Sequence, residues 1–266
     1  MNRNLTLGFS LVGLVLAATM VGALAVPRDP LAMDIGNRVQ PPGAAHFFGT
    51  DQYGRDIFSR VLAAGLPSLA VALGAVAIGL GAGGLAGALS GLHRGLADEL
   101  LMRAVDAMLT FPAILFALMV VAVRGPGNLN TALAIGLVNI PVFARLTRGS
   151  VLSLREEQYV EAARALGATN GHILLRHLLP GLATPLVIQA SLSVSTAVLA
   201  EAALSYLGLG VQPPDPSWGR MIGEAQSFLG RGPWMAVFPG LAIAVTVLGF
   251  NLLGDGLRDR LDPHTR

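Results

Sequence analysis

Long apolar runs alternate with short polar islands along the whole chain. The runs cover residues 5–26, 68–92, 105–123, 129–147, 182–203 and 236–253. Each approaches the roughly 20 residues that a helix needs to cross a bilayer. The pattern predicts an all-α fold, a polytopic membrane protein with six transmembrane helices and both termini on one side. Two regions follow. Residues 1–67 hold the first helix and a polar segment, and residues 68–266 form the core, with a polar loop at 153–180.

Within that loop, Ser153 and Glu156 have capping-box spacing, which predicts a helix starting near Leu154. Gly167 fits the left-handed residue that closes such a helix. Tyr159, Ala162, Ala163 and Leu166 recur at helical spacing and share one face, while Glu157, Glu161 and Arg164 share the opposite one. Thr169 or Asn170 caps a second short helix that ends at Pro180. A small apolar stripe with a charged back suits a partner's groove. By periodicity alone it also reads as a helix resting on the membrane surface, or as a plain connector.

The other islands are informative in different ways. Residues 27–67 carry four Asp and four Arg, too polar for the bilayer. There Thr50 or Asp51 caps a turn, Gly54 permits a tight bend, and a short amphipathic helix starts at Arg55. Asp51 and Asp56 read on paper as a paired-carboxylate site, but each has an arginine nearby, which favours an ion-pair network. Gly79, Gly83, Gly87 and Gly91 give the second span a nearly bare face for another helix. The same run spells a dinucleotide fingerprint, Gly79-x-Gly81-x-x-Gly84 with Glu99 beyond. It lies in an apolar stretch with no βαβ unit, so helix packing is the better reading. Pro112 predicts a kink in the third span. In the fifth, Gln189, Ser193 and Thr196 share a face that lines a polar path or makes interhelical hydrogen bonds. Asn139 in the fourth span and Glu201 complete the candidate path. Residues 206–235 read as a rigid interfacial turn with Trp218 at headgroup level. Ala23-Leu24-Ala25 has the form of a signal-peptidase site, but the first run is longer than a signal core, which favours an uncleaved helix.

Composition narrows the class. The chain is 53% hydrophobic and 13% charged, with a mean hydropathy of +0.62, against roughly 25% charged in ordinary soluble domains. With no cysteine there is no disulfide and no thiolate metal site. All 18 basic residues are arginine, so no P-loop lysine exists to reach a nucleotide. A net charge of +2 spread over several loops leaves no nucleic-acid footprint. The histidines are scattered, and His172 and His177, five apart, do not share a helix face. With the N-terminus inside, the inner loops carry 11 arginines and the outer segments 7. The positive-inside rule then puts the 153–180 loop in the cytoplasm.

Three strings carry a resemblance. Glu161-Ala162-Ala163, then Gly167 after three intervening residues, then His177-Leu178-Leu179-Pro180 resemble the EAA signature of ABC importer permeases. His177 stands where the family usually has an aliphatic residue. The run from His46 to Arg60 resembles the segment before the core helices of peptide and nickel permeases, with Phe48 for the usual Leu. Residues 204–219 resemble the S-F-L-G-L-G-x-Q-P-P-x-P-S-W-G run of dipeptide, oligopeptide and nickel permeases, with Tyr206 for Phe. The tail to Pro263 resembles that branch's usual ending.

The resemblance implies a permease subunit of an ATP-driven ABC importer in the bacterial inner membrane, both termini cytoplasmic, moving peptides, nickel or a related small solute by alternating access. Implied partners are a second homologous permease, two cytoplasmic ATPase subunits, an extracytoplasmic substrate-binding protein and membrane lipid, with no nucleic acid. ATP and Mg2+ belong to the ATPases, and this chain binds no cofactor. The implied coupling set is Tyr159, Glu161, Ala162, Ala163, Leu166, Gly167, Leu179 and Pro180. No residue is implied as catalytic or as a metal ligand. The alternative is a secondary transporter independent of ATP, which needs charged coupling-ion sites at mid-membrane. Only Asp106 and Glu201 are candidates, and both lie near span ends.

Overall fold

A computed structural model describes residues 3–93 and 95–261. Arg94 and the end of the tail motif at Pro263 lie outside the described residues. Among those residues the chain is helical, apart from turns, loops and one isolated bridge between Thr50 and Asp56. Five helices are long and apolar enough to cross a membrane: α1 (Arg3–Leu24), α2 (Ile57–Leu92), α5 (Asn128–Leu154), α7 (Asn170–Tyr206) and α9 (Trp234–Leu261). Between them lie α3 (Leu96–Leu109), α4 (Ala113–Arg124), α6 (Gln158–Ala165) and α8 (Trp218–Ala225).

The expected third span is not one kinked helix. α3 and α4 meet at 92°, and they supply a sixth crossing only if the bent pair counts as one. Pro112 is the physical cause, because it has no N–H to donate and it disfavours the helical region for Phe111 before it. The loose ends are satisfied locally. Thr110 Oγ1 donates to the Ala107 carbonyl at 2.7 Å, and the Phe116 N–H donates to the Pro112 carbonyl at 3.0 Å.

Three boundaries shift, two because polar residues near the expected span ends are paired inside the protein and one because a π turn carries the helix past a proline. α2 starts at Ile57, where Asp56 accepts from the Ser59 N–H and Oγ at 2.8 Å each, and it runs straight through Pro67. Residue 67 is therefore the middle of a helix. α5 continues past residue 147 to Leu154, since Arg148 is neutralised by Asp98 on α3 at 2.7 Å. Ser153 and Glu156 consequently sit at the end of α5 and open no helix. α7 continues through Pro180 by way of a π turn at Leu174–Leu178, which absorbs the residue with no N–H near its own start.

α2 and α5 form a close seam. An added Cβ at Gly79 would meet Asn139 Cβ at 2.5 Å, and one at Gly91 would meet Val151 Cγ1 at 2.7 Å. At Gly83 and Gly87 it would strike the Ile140 and Ala144 carbonyl oxygens. The predicted bare face is thus the contact surface, and the backbones approach most closely at Gly83 and Gly87. This seam holds the two flanks from which the polar loops emerge.

Candidate functional site

One end of the bundle carries the loop that joins α5 to α7. Glu157 precedes α6, and the turn after it is closed by Gly167 at φ +84°. Ala168 N–H donates to the Ala163 carbonyl at 3.1 Å and Gly167 N–H to the Arg164 carbonyl at 3.0 Å, the Schellman pair that ends helices at a left-handed glycine. Thr169 then caps α7 through the His172 N–H at 3.4 Å. Val160 and Ala163 are buried, and Val160 packs into a cluster with Val151, Ile173, Leu178 and Leu182. This cluster fastens α6 to the helices on either side.

The predicted stripe on α6 therefore splits. Ala163 turns inward beside Val160, a residue that sequence reasoning passed over. Tyr159, Ala162 and Leu166 face outward together with Glu161, and Leu166 is 90% exposed. Leu179 and Pro180 also lie at the surface. The two loop histidines meet after all. His172 and His177 stack edge-on with centroids 5.7 Å apart, because residues five apart align on a π turn but not on an α-helix.

The candidate path residues do not form one lining. Gln189 donates to Ser193 Oγ at 3.2 Å and Thr196 Oγ1 donates to the Ser193 carbonyl at 3.0 Å, so these three share a face of α7. Thr196 is exposed on that face and Ser193 is buried. Asn139 instead sits in the α2–α5 seam, donating to the Ile135 carbonyl of its own helix at 3.0 Å. Glu201 is fully buried. Ser205 Oγ donates to its Oε1 at 2.6 Å, and its Oε2 has no hydrogen-bond partner among the described residues.

At the opposite end, Asp51 and the arginines form the expected ion-pair network, with a member that the sequence did not announce. Arg55 pairs with Asp51 at 2.6 Å and with Glu224 of α8 at 2.9 Å. Arg60 lies 3.4 Å from Glu224 and 3.6 Å from Asp51, and Arg220 pairs with Glu224 at 2.9 Å. Asp56 caps α2 and also meets His46 Nδ1 at 2.8 Å, so the two carboxylates have separate structural tasks. The i,i+4 spacing of Arg220 and Glu224 was the available signal. Trp218 is buried against its neighbours. Its Nε1 donates to the Val61 carbonyl at 2.9 Å, which pins α8 against α2.

A bundle of helices long and apolar enough to cross a membrane, with a two-helix loop fastened at one end and a clamped polar segment at the other, is the build of a multi-pass membrane protein. The chain belongs to the family of binding-protein-dependent transport system inner membrane components, whose family model matches residues 83–266. It is 47% identical over 227 residues to a dipeptide transport system permease protein of Alkalihalophilus pseudofirmus, covering 85% of this chain and 75% of that one. It is 44% identical over 236 residues to a probable D,D-dipeptide transport system permease protein of Escherichia coli, covering 89% and 79%. It is 47% identical over 222 residues to a glutathione transport system permease protein of Pectobacterium atrosepticum, covering 84% and 74%. Among solved structures, an inward-facing methionine ABC transporter aligns with a TM-score of 0.65 at 19% identity, over 76% of this chain and 96% of that one, a likeness of fold.

Proposed function

We propose that this chain is one of two permease subunits of an ATP-driven importer of small peptides, glutathione-like peptides included, and that the α6 loop receives the stroke of a cytoplasmic ATPase. One observation carries the reading. α6 is clamped on one side by Val160 and Ala163 while Ala162 and Leu166 stand exposed on the other, with Tyr159 exposed at its edge against the His177 ring. A 90% exposed leucine on a rigidly held helix is a contact prepared for another protein. Glu161, also exposed on α6, offers a charge to a basic partner. Gly167 sets the angle between α6 and α7, so a push on α6 is delivered to the helix that carries Gln189, Ser193 and Thr196.

On this reading the loop and both termini are cytoplasmic, and the 27–56 segment with α8 faces an external binding protein. Each partner permease is seated on one of two ATPase subunits, which hold ATP and Mg2+. ATP closes the ATPase pair, the α6 loops follow, and the two permeases rock to open outward. Proteoliposomes holding the complete complex test this. Uptake of a labelled dipeptide should require internal ATP and the binding protein, and uptake driven by an ion gradient without ATP would overturn it.

A further inference from the structure

An apolar groove of about 450 Å3 runs between the end of α2 and the start of α7, beside the α6 loop. Its walls include Leu80, Gly84, Ala88, Leu179, Leu186 and Ala190. At 1.5 Å per residue, the wall from Leu179 to Ala190 is about 16 Å long, most of the depth of one bilayer leaflet. Thr147 of α5 belongs to the same lining. It is fully buried, its Oγ1 has no hydrogen-bond partner among the described residues, and it faces Gly84, where an added Cβ would lie 3.9 Å away.

A free positive charge follows the lining residue Leu175 in sequence. Leu175 is 68% exposed, and Arg176 next to it is exposed with no ion pair among the described residues. The three arginines at the end of α5 are engaged, Arg145 with Asp106, Arg148 with Asp98, and Arg155 with the Gly91 carbonyl and Glu156. A long apolar slot, an unpartnered hydroxyl in its wall and an unpaired cation one residue past its lining match three parts of one molecule.

We propose that the groove is a binding site for a single anionic phospholipid. One acyl chain lies between α2 and α7, the Thr147 hydroxyl donates to an ester carbonyl across the space left by Gly84, and the phosphate pairs with Arg176. The slot is bounded by the π turn at Leu174–Leu178, which shares Leu178 with the cluster that fastens α6. A lipid seated there stiffens the joint between α6 and α7. That last consequence rests on the coupling role of the loop, whereas the binding site itself does not.

The test is lipid retention by native mass spectrometry. The purified full complex is equilibrated with vesicles of phosphatidylcholine alone or of equal parts phosphatidylcholine and phosphatidylglycerol. The wild type should keep phosphatidylglycerol in preference to phosphatidylcholine. Arg176→Gln, at an exposed position, should fold normally and lower that preference about fivefold, the effect of one basic residue at a membrane surface. Gly84→Leu should fill the slot and lose the lipid, while Gly81→Leu, which has open space around it, should keep it. Equal retention by the wild type and Arg176→Gln, or by the two leucine variants, overturns the proposal. So does displacement of the lipid by inorganic phosphate, and so does loss of the second permease in Gly84→Leu, which would make the groove a subunit interface.

Discussion

Glu224→Gln is the sharpest probe of how the two outer segments are joined. Among the described residues the network comprises Arg55, Arg60 and Arg220 with Asp51 and Glu224, so the variant leaves three cations facing one carboxylate. Breaking a buried ion pair from one side costs about 3–5 kcal/mol. Two features lower the figure here. The Glu224 and Arg220 side chains keep 22% and 23% exposure, and Arg55 retains Asp51 at 2.6 Å. The stranded group is Arg60, 2% exposed, whose remaining partners are Asp51 at 3.6 Å and the Pro30 carbonyl at 3.2 Å. We expect a loss of about 3 kcal/mol, the lower end of that range.

The control is Arg103→Gln, which removes a pair to Glu99 in which the side chains are 74% and 56% exposed. An exposed pair of that kind is worth about 0.5 kcal/mol at most. Unfolding by sodium dodecyl sulfate in mixed micelles, followed by tryptophan fluorescence, reads the difference directly. The chain has two tryptophans, and both report on this end, Trp218 through Val61 and Trp234 through the Thr50 carbonyl at 3.3 Å. Added salt should leave the Glu224→Gln loss unchanged, since buried charges are screened little. A loss equal to that of Arg103→Gln would refute the assignment of Arg60 to these partners.

Three further substitutions follow from the packing. Gly83→Val drives a side chain into the Ile140 carbonyl and should abolish stable insertion, whereas Gly81→Val in the same turn meets open space and should express normally, as a membrane-fraction immunoblot would record. Trp218→Phe removes the N–H that satisfies the Val61 carbonyl and should cost about 1–2 kcal/mol in the same detergent titration. Gly167→Ala forces a Cβ into φ +84° at a cost of about 1–2 kcal/mol, and it should lower ATP-driven uptake more than it lowers protein level, while Gly171→Ala should change neither.

The apolar runs and the glycine spacing were sufficient to foresee the helical bundle and the bare packing face of α2, because both depend on local periodicity, while its partner α5 came only with the fold. The ends of the helices were harder to see. Asp56, Arg148 and Pro180 all look like stop signals in sequence, yet each is absorbed by a contact or a turn that only the fold supplies. The split of the α6 stripe has the same origin, since periodicity finds an apolar face without saying which edge of it meets Val151 and Leu182. Ala163 and Leu166 are three residues apart and end up on opposite sides of that decision. Asn139 was grouped with Gln189 by chemistry, whereas its Cβ against Gly79 places it in the helix seam.

The most direct test of the account is a co-purification in which the outward face of α6 alone is changed. Tagged wild-type chain, extracted in mild detergent from its native host, should bring down a second permease and two P-loop ATPase subunits. Leu166→Asp, at a position 90% exposed, should lose the ATPases and keep the second permease. Full recovery of the ATPases with Leu166→Asp, or transport by the chain alone without ATP, would contradict the assignment of this loop as the point where ATP hydrolysis reaches the membrane.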